Sequence, residues 1–293
     1  MPTTLVAILI VVVIVAVVAA AGAAVLARMA RAFLRSPTRR PAARPADVGL
    51  RGEPFAIPTE EGAVRGWVLE SDRPRAAPML VVATHGWASS ASDMLSWIAP
   101  IVKDGHRAIV YDVLGHGDSD ERDVASIRHF VDDLRIVLRW SETRMPEAPI
   151  VLFGHSLGGA ASIVTAAEST RIRGVIVAAA PMDPVEVTRE WLDAKGRPGA
   201  LMVAMMRPFW RPIIKVPYEQ LVPLRRIRDV RAPILILHGD EDRQVAVHHA
   251  HELAAAQPSA RLEILSGLNH FSVPSDPRYE PIVTGFLDSL TRP

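Results

Sequence analysis

One serine stands out by what surrounds it. Ser156 lies in Gly154-His-Ser-Leu-Gly-Gly159, directly after the unbroken apolar run Pro149-Ile-Val-Leu-Phe153. The small, apolar residues from 160 to 170 can carry the chain on as a helix. A strand that turns sharply through Gly-x-Ser-x-Gly into a helix holds the serine in a strained conformation, with its hydroxyl projecting from the sheet end. The backbone N–H of Leu157 then lies near a helix start, where developing negative charge is favoured. A hydroxyl becomes a useful nucleophile only when a neighbouring base takes its proton, so the chain must supply a histidine and an acid to orient it.

Both are available at the ends of other apolar runs. The continuous runs Met79–Ala83, Ala108–Tyr111, Ile150–Phe153, Val175–Ala180 and Ile234–Leu237 read as buried strands of a parallel sheet, with Leu262–Leu265 as a sixth. In open α/β sheets, ligands bind beyond the carboxyl ends of the strands. There the chain carries Thr84-His85-Gly86-Trp87, Asp112-Val-Leu-Gly115-His116-Gly117-Asp118-Ser119, the serine turn, His238-Gly239-Asp240-Glu241-Asp242 and Asn269-His270. Serine, then acid, then histidine is one of the chain orders in which a catalytic triad is assembled. His270 is the expected base and Asp242 the expected acid, with Asp240 and Asp183 as alternative carboxylates.

Helical patterns separate the strands. Ile127, Phe130, Val131, Leu134, Val137 and Leu138 recur at helical spacing, as do Leu95, Ile98, Ile101 and Val102, with Gly105 placed to end that helix. Ile282, Val283, Phe286, Leu287 and Leu290 predict a closing helix. Phe55–Ile57 and Arg65–Leu69, flanking Glu60-Glu-Gly62, predict a hairpin. The alternation implies an α/β fold: a doubly wound, mostly parallel sheet. About fifty residues, 181–232, contain no strand signal. They are read as a helical lid, with Met202, Met205, Met206, Phe209 and Trp210 lining an apolar substrate pocket.

Over roughly residues 50 to 293 the sequence resembles the α/β-hydrolase family. The resemblance rests on His85-Gly86 after the strand at 79–83, Asp112-x-x-Gly-His-Gly-x-Ser119, Gly154-x-Ser-x-Gly158, and His238-Gly-x-x-Asp242 followed by His270. It departs from the commonest pattern at Leu114, where many members have arginine, and at Ala246, often proline. The resemblance implies a serine hydrolase with Ser156 as nucleophile, His270 as base, Asp242 as its partner, and an oxyanion hole of the Trp87 and Leu157 N–H groups. The apolar cap is similar to lysophospholipase and monoacylglycerol-lipase-like members, implying an apolar acyl ester as substrate. Peptide, amide or thioester cleavage and acyl transfer share the same machinery.

Residues 3–27 carry no charge and as a helix would span about 37 Å, enough for a hydrocarbon core of roughly 30 Å. The segment reads as a retained transmembrane anchor rather than a cleaved signal, since no Lys or Arg precedes it and its apolar run exceeds a signal core. Six arginines and no acid lie in residues 28–44, which orients the N-terminus outward and the hydrolase domain toward the cytoplasm. With Pro37, Pro41 and Pro45, residues 28–46 read as an extended linker, and the catalytic domain as 47–293. Net charge is +1 for 293 residues, so outside that arginine cluster the chain is net acidic, which argues against nucleic-acid binding. There is no cysteine, hence no thiolate chemistry. His248, His249 and His251 sit together without an evident further ligand, so neither a metal nor a cofactor is expected. His85, His116 and His238 are expected to hold motif turns, and His155 carries no signal of its own.

Overall fold

The computed structural model describes residues 2–35 and 42–291; Pro37, Arg39, Arg40 and Pro41 of the expected linker lie outside the described residues. Beyond the N-terminal helix α1 (Pro2–Phe33), the chain forms β1 (Arg51–Thr59), β2 (Gly62–Glu70), β3 (Leu80–Thr84), α2 (Ala91–Lys103), β4 (Arg107–Asp112), α3 (Ile127–Arg144), β5 (Ile150–His155), α4 (Leu157–Ala166) and β6 (Ile172–Ala178). There follow α5 (Pro184–Ala194), α6 (Gly199–Ile214), the short α7 (Pro223–Arg226), β7 (Ile234–Gly239), α8 (His248–Ala256), β8 (Arg261–Leu265) and α9 (Tyr279–Thr291). The eight strands form one sheet in the order β1-β2-β4-β3-β5-β6-β7-β8. The β1–β2 and β2–β4 pairs are antiparallel and all the others parallel.

The unbroken apolar runs have a simple cause. Successive strand residues face opposite sides of a sheet, and here both sides are covered. Val82, Ile109, Leu152, Val177 and Ile236 join a core with α3 and α4. Their chain neighbours Val81, Val110, Phe153, Ile176 and Leu237 join the other core, under α2 and α9. Each fully buried aliphatic side chain there contributes about 1.5–3 kcal/mol, so the central strands carry much of the fold's stability. The chain leaves β3 for β4 on one side, then returns across it to β5 on the other. That reversal opens the crevice in which a ligand site is expected.

Between β6 and β7 the described chain is helical, as the missing strand signal implied: α5, α6 and α7 make a cap. The N-terminal helix departs from expectation. It continues beyond residue 27 to Phe33, so Arg28 and Arg31 are helical rather than part of an extended linker. Its last turns persist because they find partners. Ala30 is fully buried, and its carbonyl accepts a hydrogen bond from the indole N–H of Trp210 at 2.9 Å, satisfying a helix-end carbonyl that has no partner in its own helix. Arg31 and Arg35 both pair with Asp123. Phe33 meets Trp191 of α5 edge to face at 6.1 Å.

Candidate active site

Ser156 stands between the end of β5 and the start of α4 with φ 53° and ψ −123°, a conformation that costs a non-glycine residue about 1–3 kcal/mol. Its neighbours explain how the turn closes. A Cβ on Gly154 would lie 2.3 Å from the Gly158 carbonyl oxygen, and one on Gly158 would lie 2.2 Å from the Thr84 carbonyl oxygen. Only glycine lets these strands and the helix approach so closely. The Ser156 N–H donates to the Ala178 carbonyl at 2.8 Å, tying the turn to β6. Because the strain resides in the backbone, Ser156→Gly is expected to raise Tm by about 2–4 °C. A calorimetric melt that moved downward would mean that the turn is not strained.

Asp242 and His270 follow β7 and β8. The Nδ1 of His270 lies 2.6 Å from Oδ2 of Asp242, and both residues are buried. The other carboxylate oxygen accepts the N–H groups of Gln244 and Val245 at 2.8 and 2.9 Å. Burial alone would raise this carboxyl's pKa. The neighbouring His238 and His270 imidazoles and the Val245 N–H outweigh it and hold the pKa well below the usual carboxylate range. The alternative acids are committed elsewhere. Asp240 accepts the Gly267 N–H, while Asp183 caps α5 through the Val185 N–H and accepts the Tyr218 hydroxyl.

His155, which carries no signal of its own in the sequence, has a defined place in the fold. It is buried, and its Nε2 lies 2.9 Å from the carbonyl oxygen of His270. The two rings stand 4.6 Å apart. Burial first, and the adjacent His270 second, push its pKa down to about 3, so it is a neutral donor at ordinary pH. The residue before the serine therefore holds the backbone of the histidine, docking the Asp242–His270 pair against the strained turn. The available signal is its place inside Gly-x-Ser-x-Gly, next to the expected nucleophile.

The loop after β3 passes directly over the serine: a Cβ on Gly86 would sit 2.9 Å from Ser156 Cβ and 3.4 Å from its Oγ. His85 fixes that loop. Its Nε2 accepts the Val113 N–H at 3.0 Å, so Nδ1 carries the proton and donates to the Gly86 carbonyl at 2.7 Å. Trp87 follows immediately. From the other side, Leu157 begins α4, whose first N–H groups have no partner within the helix. Asp112 closes the next loop by accepting the Ala91 and Asp118 N–H groups, and burial lifts its carboxyl to about 6. His238 donates across the Asp242 loop to Val245 at 2.8 Å, as expected of a turn-holding histidine.

The five expected pocket residues separate. Met206 and Trp210 are buried, Met202 and Phe209 pack partly buried against the same core, and Met205 is 43% exposed. Met205 lies on the opposite side of α6 from the buried row Val203, Met206, Trp210 and Ile214, and Trp210 is bonded to α1. A second correction concerns His248 and His249. Glu190 of α5 lies 3.2 and 3.0 Å from their Nε2 atoms, so a possible third ligand does adjoin them. His249 Nδ1 accepts the Met182 N–H, which leaves its proton on Nε2, facing Glu190. That tautomer makes a histidine–glutamate hydrogen bond between α8 and the cap, and offers no lone pair there to a cation.

Sheet order, strained turn and loop arrangement are those of the α/β-hydrolase fold, and comparison with known proteins finds the same fold. A family model described as serine aminopeptidase, S33 (Hydrolase_4) matches residues 75–211. A non-heme haloperoxidase of Rhodococcus erythropolis is 28% identical over 232 residues, covering 64% of this chain and 83% of that protein. The monoglyceride lipase of Rattus norvegicus is 44% identical over 70 residues, 23% of each chain. An esterase of Pyrococcus furiosus superposes with a TM-score of 0.69 at 18% identity, over 87% of this chain and 99% of its own. The chain has the α/β-hydrolase fold, and its matched relatives are similar to it in that family's manner.

Proposed function

We propose that this chain is a membrane-anchored serine hydrolase that cleaves carboxylic esters with apolar acyl groups through an acyl-enzyme. The observation that carries the reading is the buried Asp242–His270 hydrogen bond, docked by His155 against the turn that presents Ser156. In this mechanism Ser156 Oγ attacks the ester carbonyl carbon and its proton passes to His270 Nε2. Asp242, ionised at any physiological pH, orients the imidazole and stabilises the cation. The negative charge that develops on the carbonyl oxygen is met by the N–H groups of Leu157 and Trp87, at the start of α4 and in the loop over the serine. Collapse expels the alcohol, protonated by His270. Water then attacks the acyl-enzyme, losing its proton to the same imidazole, and frees Ser156.

The apolar preference draws on the cap and on α1. Thr3–Phe33 is long and apolar enough to cross a bilayer, and its most apolar stretch is not buried in the fold. Crossing would leave the domain on the cytoplasmic side, by the arginines that follow. A tethered enzyme meets membrane esters at high effective concentration. The test is a series of glyceryl or p-nitrophenyl esters from acetyl to palmitoyl, assayed with the full chain in proteoliposomes. Long-chain esters are expected to give the higher kcat/KM; activity confined to acetyl esters would refute the lipid-like preference. Asp242→Asn is expected to lower kcat by about 10⁴-fold. Near-normal turnover would assign the acid to Asp240 or Asp183. Amide cleavage is the second reading, favoured by the match to an aminopeptidase-described family model, and anilide substrates in the same assay distinguish it.

A further inference from the structure

The cap helix α6 has an outer face that a water-facing helix would not need. Its inner row is Val203, Met206, Trp210 and Ile214, all buried. At about 100° per residue the opposite side carries Leu201, Ala204, Met205, Pro208 and Pro212, all exposed and all apolar. Leu201 is 58% exposed. Beside that stripe run Arg207, Arg211 and Lys215, one every four residues and likewise exposed. From Lys195 to Tyr218 there are five cations and no acid. Arg207 pairs with Glu219, whereas Arg211 and Lys215 make no ion pair among the described residues. An apolar stripe edged by cations is the pattern of a helix lying in a membrane interface beside anionic headgroups.

The position of α6 says which surface covers this stripe. The first charge after the apolar run of α1 is Arg28, and the α1 residue bonded to α6 through Trp210 is Ala30. Two residues of helix are about 3 Å along the axis, so wherever α1 leaves the hydrocarbon, Trp210 is held at headgroup depth. Trp191, 47% exposed, touches Phe33 at the same level and carries the Lys195 ammonium 4.3 Å above its ring. Tryptophan and lysine at that depth are typical interfacial anchors.

We propose that α6 lies on the leaflet next to the hydrolase domain, with Leu201 and Met205 entering the interface and Arg207, Arg211 and Lys215 against anionic lipid headgroups. This rests on α1 spanning the membrane. It places the cap of the active site on the lipid surface itself, so that an ester leaving the bilayer meets the cap before it meets bulk water.

The absence of cysteine makes the proposal easy to test. Leu201→Cys and Met205→Cys, each labelled with an environment-sensitive NBD probe, are reconstituted as full chains in phosphatidylcholine vesicles with and without phosphatidylglycerol. Ser259→Cys, at the opposite end of the sheet, and Val12→Cys, within α1, are the controls. The probes at 201 and 205 are expected to emit blue-shifted light and to be quenched several-fold more than that at 259 by lipids carrying a shallow doxyl group. The difference should grow with phosphatidylglycerol, and R207Q/R211Q/K215Q should remove that growth. Water-like emission at 201 and 205, with the probe at 12 quenched by deep doxyl lipid, overturns the proposal and leaves the anchor standing. Water-like emission at 12 as well overturns the anchor, and the proposal with it.

Discussion

Ser156→Ala is expected to lower kcat for ester hydrolysis by about 10⁵–10⁶-fold, because loss of the nucleophile in a triad removes the covalent route altogether. A remnant above the uncatalysed rate should survive, since the N–H donors of Leu157 and Trp87 are backbone groups that the substitution does not touch. The variant is also a clean control for folding. Alanine keeps the Cβ and hence the strain at φ 53°, and among the described residues no hydrogen bond depends on the hydroxyl in the way that the Ala178 carbonyl depends on the Ser156 N–H. Tm should therefore stay near that of the parent while turnover collapses. Initial rates on a short p-nitrophenyl ester, paired with a thermal melt, separate the two. A loss under tenfold would place the nucleophile elsewhere.

The second large effect is acid lability. Four histidines are held neutral by their surroundings. Burial lowers His85 to about 4 and His155 to about 3, the latter helped by the nearby His270. Burial lowers His116 to about 3, helped by His85, and His129 to about 4, helped by Arg122 and Arg128. In the unfolded chain all four would take up protons below about 6.5. For a base whose folded pKa is depressed, the native state binds fewer protons, so stability is intact above 6.5 and falls as the pH drops. Each such group costs about 1.4 kcal/mol per pH unit and four together roughly 5, of which the Asp112 carboxyl, lifted to about 6 by burial, returns about 1.4 per unit below pH 6. Against a typical total of about 5–15 kcal/mol, the native state should be lost cooperatively near about pH 5. Melts from pH 7.5 to 4.5 test this, and His129→Gln should reduce the slope by about one proton. A Tm that is level down to about pH 5 would show that these rings are protonated in the native state.

The strands and the serine turn were legible because the forces that make them are local. A strand covered on both faces must be apolar at every position, and a turn in which a Cβ on Gly154 would lie 2.3 Å from the Gly158 carbonyl oxygen tolerates no side chain there. The choice among three carboxylates was less legible. Asp183, Asp240 and Asp242 all follow strands, and only their hydrogen bonds separate them: a helix cap, a loop N–H and an imidazole. The role of His155 depends on a carbonyl 115 residues away. The end of α1 is not legible locally, because Arg28 to Arg35 resemble a linker until Asp123 and Trp210 are brought to them. Residue type alone suggests a pocket for Met205, whereas the helical phase of α6 turns it outward.

The most direct test of a nucleophilic Ser156 is to let the enzyme react once and stop. A fluorophosphonate probe incubated with the full chain, followed by intact-mass and peptide mapping, is expected to give one adduct per chain, on the peptide containing Ser156. Labelling should be absent in Ser156→Ala and slowed by orders of magnitude in His270→Ala. An unlabelled parent chain, or a single adduct on a different serine, would contradict the account.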